Sequence, residues 1–229
     1  MPADPDNRVP DERPEPRLGP LATLPVFFRL AGKRVLVSGA GEGAAWKVEL
    51  LAATGARVGL FCASDACERL RGALRGLPGV VVEWRAAAPS DFEGAALAIG
   101  EADGDTQAEA FRAMAKAAGV PVNIIDQPAF SDFQFGSIVE RNPLVIAIST
   151  DGGAPVFGQA IRARIEAMLP QNFRAWAQAA KDWRPKISVL RLPHQARRNF
   201  WEGFARRAFR DAERRPDASD FKVLQENIE

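Results

Sequence analysis

The stretch Arg34-Val-Leu-Val-Ser-Gly-Ala-Gly-Glu-Gly-Ala44 decides the fold. Val35, Leu36 and Val37 are apolar on both alternating faces, the pattern of a short strand covered on both sides. Gly39-x-Gly41-x-x-Ala44 follows at once, and Ala45 to Thr54 then sets Val48, Leu51 and Ala52 on one helical face before Gly55 ends the helix. Strand, glycine turn and helix in that order make the opening of a dinucleotide-binding unit. Gly39 permits the tight turn, Gly41 lets the backbone approach a pyrophosphate, Ala44 lets the helix lie close on the strand, and the helix N-terminus faces the negative charge.

Working outward, Arg57–Cys62 reads as a second strand, Ser64–Leu74 as a helix and Val80–Trp84 as a strand. A helical turn near Asp91 leads into Gly94–Ile99, and a helix over Thr106–Ala118 ends at Gly119 before the buried strand Val120–Asp126. Strands alternating with helices predict an α/β fold with a Rossmann-type parallel sheet wound on both sides. The candidate cofactor contacts are Gly39, Gly41, Glu42 and Gly43 in the loop, with Ala63 and Ser64 after the second strand. No Asp or Glu ends that strand, so the ribose contact falls to backbone or to Ser64. Asp126 closes a strand at the sheet edge where such folds bind ligands; it reads either as a catalytic base or as a cap for the turn ahead of Pro128.

Beyond Asp126, Phe133–Arg141 and Leu144–Ser149 flank the turn Asn142-Pro143 and predict an antiparallel pair. Two strands alone are marginal, and their free edges invite a second copy of the chain. From Ala154 to Phe209 the sequence is helical, with Pro155 suited to a first turn and Pro170, Pro185 and Pro193 as breakpoints. Met1–Pro20 carries six prolines, eight charges and almost no large apolar side chain, which reads as a disordered tail; Arg215–Glu229 reads as a second, frayed tail.

Composition narrows the function. No run approaches the roughly 18 apolar residues of a membrane span, and the polar start resembles no secretory signal, so the expected location is the cytoplasm with no membrane partner. Two cysteines and one histidine are too few for a structural zinc site. With 30 basic against 29 acidic side chains, the chain as a whole gives no argument for nucleic acid. Lys181–Arg215 nevertheless holds eleven basic and four acidic residues among aromatics. That segment is open to three readings: a solvated helix with core aromatics, a nucleic-acid surface, or a site for a polycarboxylated macrocycle. The expected reading excludes nucleic acid.

The chain resembles the precorrin-2 dehydrogenase and sirohydrochlorin ferrochelatase family, the N-terminal module of sirohaem synthase. The likeness runs through Leu24-Pro-Val-Phe-Phe28, the Gly39 loop with Lys47 on its helix, Val122-Asn-Ile-Ile-Asp-Gln-Pro128, Ser137-Ile-Val-Glu-Arg-Asn-Pro-Leu144, Ala147-Ile-Ser-Thr-Asp-Gly-Gly-Ala-Pro155 and Arg197-Arg-Asn-Phe-Trp201. The resemblance implies a homodimer with an NAD domain over 21–132, a strand-rich dimerisation segment over 133–169 and a C-terminal helical domain over 170–214, enclosing a tetrapyrrole cleft. It implies NAD-dependent oxidation of precorrin-2 to sirohydrochlorin, with ferrous iron as a further substrate. Asp126 is then the catalytic residue and the metal contact, and Ser149, Thr150, Asp151 and Gly152 form the substrate loop. The chain departs from the family pattern at Gly100-Glu-Ala-Asp-Gly-Asp-Thr106, where Ala-Thr-Asp-Asp is usual, and at Asp151 and Ala154, where glycine and serine are usual. The alternative is a non-catalytic NAD or tetrapyrrole sensor on the same fold.

Overall fold

A computed structural model describes residues 18–226 apart from 64–69, 71, 73 and 75. Ser64, most of the expected helix Ser64–Leu74 and most of the expected N-terminal tail therefore lie outside the described residues. Backbone contacts divide the chain into two compact units, Phe27–Gly136 and a second that holds Ser137–Glu229 with the residues up to Val26.

The first unit is built on five parallel strands: β1 (Arg34–Ser38), β2 (Arg57–Phe61), β3 (Val80–Glu83), β4 (Leu97–Gly100) and β5 (Val122–Ile124), in the order β3-β2-β1-β4-β5. Helix α1 (Glu42–Ala53) follows β1, and α2 (Asp105–Ala117) follows β4. The alternation in β1 sends Val35 and Val37 into a cluster with Val48, Leu51, Val58 and Ile99. Leu36 goes to the opposite face with Phe92, Phe111 and Ile124. Each such side chain is nearly sealed from water, Leu36 at 2% exposure, so its truncation to alanine costs about 2–5 kcal/mol. The chain turns away from α1 at Gly55, whose φ of 78° is the left-handed conformation that ends a helix.

Two differences from the sequence reading bear on the site. The stretch Leu97–Gly100, read only as what a helical turn leads into, is a strand buried along its whole length and wedged between β1 and β5. Periodicity cannot reveal so short a run covered on both faces. The strand expected to reach Asp126 stops at Ile124, because Gln127 N–H donates to the Ile124 carbonyl and folds residues 125 and 126 into a turn.

In the second unit β6 (Ser137–Arg141) and β7 (Leu144–Ile148) pair antiparallel, as expected, with Ser137 opposite Ile148. Four helices follow: α3 (Pro155–Met168), α4 (Phe173–Val189), α5 (His194–Arg210) and α6 (Ala218–Glu226). Their core holds Trp176, Trp183, Ile187, Phe200, Phe204 and Leu224. Pro185 was expected to break the chain, yet it lies inside α4. The buried stripe Trp176, Ala179, Trp183 and Ile187 carries the helix past a proline whose missing N–H leaves one intrahelical bond unmade.

The expected C-terminal tail over 215–229 is likewise corrected, since Ala218–Glu226 is helical. Asp217 caps it by accepting the backbone N–H groups of Ser219 and Asp220, at 2.8 and 3.2 Å, while Asp220 accepts the N–H of Asp217 at 2.9 Å. This reciprocal capping at Asp217-x-x-Asp220 starts the helix, and Phe221 and Leu224 attach it to the core.

Candidate functional site

The first unit gathers its chemistry at the carboxyl edge of the sheet. β1 leads into the Gly39 loop, β4 into Glu101 and β5 into Asp126, so three groups far apart in sequence meet where the strand order reverses. Gly41 stands just before α1 in an extended conformation, φ −85° and ψ 175°, and makes no side-chain cap. The free N–H groups there point at an anion, and the structure supplies one from within: Glu101 Oε2 accepts from Ala40 N at 2.8 Å and from Gly41 N at 2.7 Å.

The small residues stand where a side chain would not fit. A Cβ on Gly39 would lie 2.9 Å from the Ala44 Cβ, and one on Gly41 would collide with Glu101 Oε1. Gly43 brings α1 within reach of Ile125, whose Cγ2 would be 3.2 Å from an added Cβ. Glu42 is the exposed first residue of α1, and Ala63 is exposed just beyond β2. Ser64, the remaining candidate, is outside the described residues.

Asp126 is an exposed residue with φ 59°, a left-handed conformation that costs a non-glycine residue about 1–3 kcal/mol unless its surroundings hold it. They do. Ile124 N donates to Ser131 Oγ at 2.8 Å, Val122 N to Asp132 Oδ2 at 3.1 Å, and Gln127 Nε2 to the Ala102 carbonyl at 2.9 Å. The short helical turn Pro128–Phe130 carries no side-chain cap, and among the described residues nothing hydrogen-bonds the Asp126 carboxylate. Its reading as a turn cap therefore fails. The group it does sense is Lys47, one turn beyond Gly43 on the same face of α1. Lys47 Nζ stands 4.1 Å from the centroid of the Phe135 ring. Burial pulls its pKa below the usual lysine value, and the negative charge of Asp126 partly restores it.

In the second unit, Ser149, Thr150, Asp151 and Gly152 form the turn between β7 and α3. Ser149 Oγ accepts from Asp151 N at 3.2 Å, and Gly153 N donates to the Thr150 carbonyl at 2.9 Å. Asp151 has φ 51°, which gives a backbone reason for the glycine usual there; aspartate is among the few other residues that tolerate it. Between α4 and α5 lies a cavity of about 870 Å³ lined by Lys181, Arg184, Arg197, Arg198 and Trp201, among others. Arg198 is paired with Glu202, whereas Lys181, Arg184 and Arg197 find no side-chain partner among the described residues. No group of three or more potential metal ligands is assembled among the described residues, and none of their helices is long and apolar enough to cross a membrane.

Sequence reasoning missed Glu101 altogether. The departure at Gly100–Thr106 was its signal, but only the β1–β4 adjacency shows that this position enters the glycine loop. Lys47 was noticed as part of a motif and given no task; its i, i+4 spacing from Gly43 was the available clue.

A five-stranded parallel sheet in this order, with an anion seat at its reversal point, defines the Rossmann class of nucleotide-binding proteins. A family model described as NAD(P)-binding matches residues 26–137, and one described as sirohaem biosynthesis protein, central, matches 141–168. The siroheme synthase of Ectopseudomonas mendocina (strain ymp) is 38% identical over 179 residues, covering 78% of this chain and 38% of the relative. That of Methylococcus capsulatus is 35% identical over 78% of this chain and 37% of its own. The solved structure of SirC, precorrin-2 dehydrogenase, superposes with a TM-score of 0.61 at 18% identity over 90% of this chain and 98% of that one, a likeness of fold. The chain is thus similar to siroheme synthases, with an NAD(P)-binding match followed by a match to the central part of a sirohaem biosynthesis protein. It spans 38% of the length of the first of those synthases. Its residues fit a dinucleotide: two backbone donors already hold a carboxylate where a pyrophosphate is received, and glycine leaves the approach open.

Proposed function

We propose that the protein oxidises precorrin-2 to sirohydrochlorin with NAD. The observation that carries this reading is the presence, on one sheet edge, of an anion-accepting glycine loop and a carboxylate held in a left-handed turn without a hydrogen-bond partner among the described residues. NAD would be held by Gly39, Gly41, Glu42 and Gly43, with Ala63 and Ser64 as candidate ribose contacts, and would supply a hydride acceptor. Asp126 takes the proton that leaves the macrocycle as the new double bond forms.

The substrate is a flat macrocycle with many carboxylates. Lys181, Arg184 and Arg197, unpaired and gathered around Trp201, suit such a ligand, since guanidinium groups pair with carboxylates and the indole offers an apolar face. Ser149, Thr150, Asp151 and Gly152 provide further substrate contacts. Ferrous iron is a second substrate: its insertion into sirohydrochlorin expels two pyrrole N–H protons, one accepted by Asp126, its protein contact, and the other by solvent. The working form is a homodimer: β6 and β7 have no third strand among the described residues, and Val145, Val156 and Phe157 are exposed beside them.

The deciding experiment incubates the protein with precorrin-2 and NAD and follows sirohydrochlorin by absorbance, with and without ferrous iron. Turnover in the metal-free reaction supports the reading. A protein that leaves precorrin-2 unchanged overturns it.

A further inference from the structure

We propose that Glu101 sets the affinity of the dinucleotide site by occupying the seat of the cofactor's pyrophosphate, so that nucleotide enters only in exchange for its carboxylate. This rests on the cofactor reading above and goes beyond it, since Glu101 stands outside the glycine motif. One oxygen of Glu101 takes the N–H groups of Ala40 and Gly41, in the glycine loop just ahead of α1, at 2.8 and 2.7 Å. The other lies where a side chain on Gly41 would be, which is the space that glycine leaves for a phosphate.

The backbone of Glu101 cannot withdraw. Its N–H donates to the Ser38 carbonyl at 2.8 Å, which ties it to the end of β1, and the next residue, Ala102, is held by Gln127 at 2.9 Å. Only rotation about the side-chain bonds frees the loop. A carboxylate and a pyrophosphate carry the same sign and need the same two donors, so they exclude one another. While Glu101 is seated, the donors stay satisfied without nucleotide, and every bound cofactor must first displace an internal ligand. The apparent affinity falls by the fraction of molecules in which the seat is free; a carboxylate seated nine times in ten weakens binding about tenfold.

The test is NAD⁺ titration by calorimetry of the parent, Glu101→Ala and Glu101→Gln, together with hydrogen exchange of the Ala40 and Gly41 amides in nucleotide-free protein. The expected result is at least about tenfold tighter binding in Glu101→Ala, with Glu101→Gln between the two because its amide oxygen accepts hydrogen bonds without charge. The two amides should be protected in the parent and exchange faster in Glu101→Ala. Measurable but equal NAD⁺ affinity in parent and Glu101→Ala overturns this inference and leaves the cofactor reading standing, as does fast exchange of both amides in the parent. Absence of binding to NAD⁺ and NADP⁺ in all three proteins overturns the cofactor reading and this inference with it.

Discussion

Asp220 accepts both guanidinium nitrogens of Arg214, each at 2.7 Å, although its side chain is only 1% exposed. Arg207 Nε lies a further 2.7 Å from the same carboxylate. The last helix is thus held by an ion cluster at its first turn as well as by apolar packing.

Asp220→Ala leaves Arg207 and Arg214 without this partner; because Arg214 is 42% exposed and water can replace the lost contact, the cost is about 1 kcal/mol. The Arg214 hydrogen bonds, followed by the Asp217 N–H, hold the Asp220 carboxyl below its ordinary pKa of 3.8. A depressed folded-state pKa gives stability that is complete above that ordinary value and is lost as pH falls through the lower one. Urea unfolding from pH 7 down to about 2 should therefore show a steep acid loss in the parent and a flatter one in Asp220→Ala. Identical pH profiles would mean that the cluster does not hold the helix.

Gly41→Val should weaken NAD⁺ binding at least tenfold, on the order of 1.4 kcal/mol, while the far-ultraviolet dichroism stays unchanged. The atoms nearest an added Cβ all belong to Glu101. Unaltered affinity by calorimetry would remove the loop from the cofactor site.

Asp126→Asn preserves the left-handed turn, because asparagine tolerates it, and removes the basicity. Precorrin-2 oxidation should fall by a factor of ~10² to 10⁴ with NAD⁺ affinity retained. Loss of iron insertion in the same variant would assign both reactions to one carboxylate; a parental oxidation rate would dismiss Asp126 as the base.

The homodimer predicts a sedimentation mass of two chains at micromolar protein, and Val145→Glu should shift it toward one. A parent that sediments as a single chain at that concentration excludes the arrangement.

What was legible in the sequence was local. Arg34–Ala44 carried strand, turn and helix because each rests on neighbouring residues, and Asn142-Pro143 between two apolar runs carried the β6–β7 pair. Adjacency was not legible: that Leu97–Gly100 slots beside β1 depends on tertiary burial, and with it went the meeting of Glu101 and Gly41, which are 60 residues apart. The Asp217-x-x-Asp220 cap could have been read and was overlooked, since the segment shows no clear apolar face. Asp126 was located by motif, but its left-handed turn comes from Ser131 and Asp132 folding back on β5, which no pattern in the sequence displays.

The wedging of β4 between β1 and β5 brings position 101 to the glycine loop. Glu101 and Gly104 lie outside the two buried clusters of the sheet, yet the first reaches the nucleotide seat and the second opens α2. On the inference drawn above, replacement at position 101 alters how much nucleotide the protein needs while leaving both buried clusters untouched. Nucleotide occupancy and sheet packing then rest on different side chains, so one can be retuned by a change confined to a single loop.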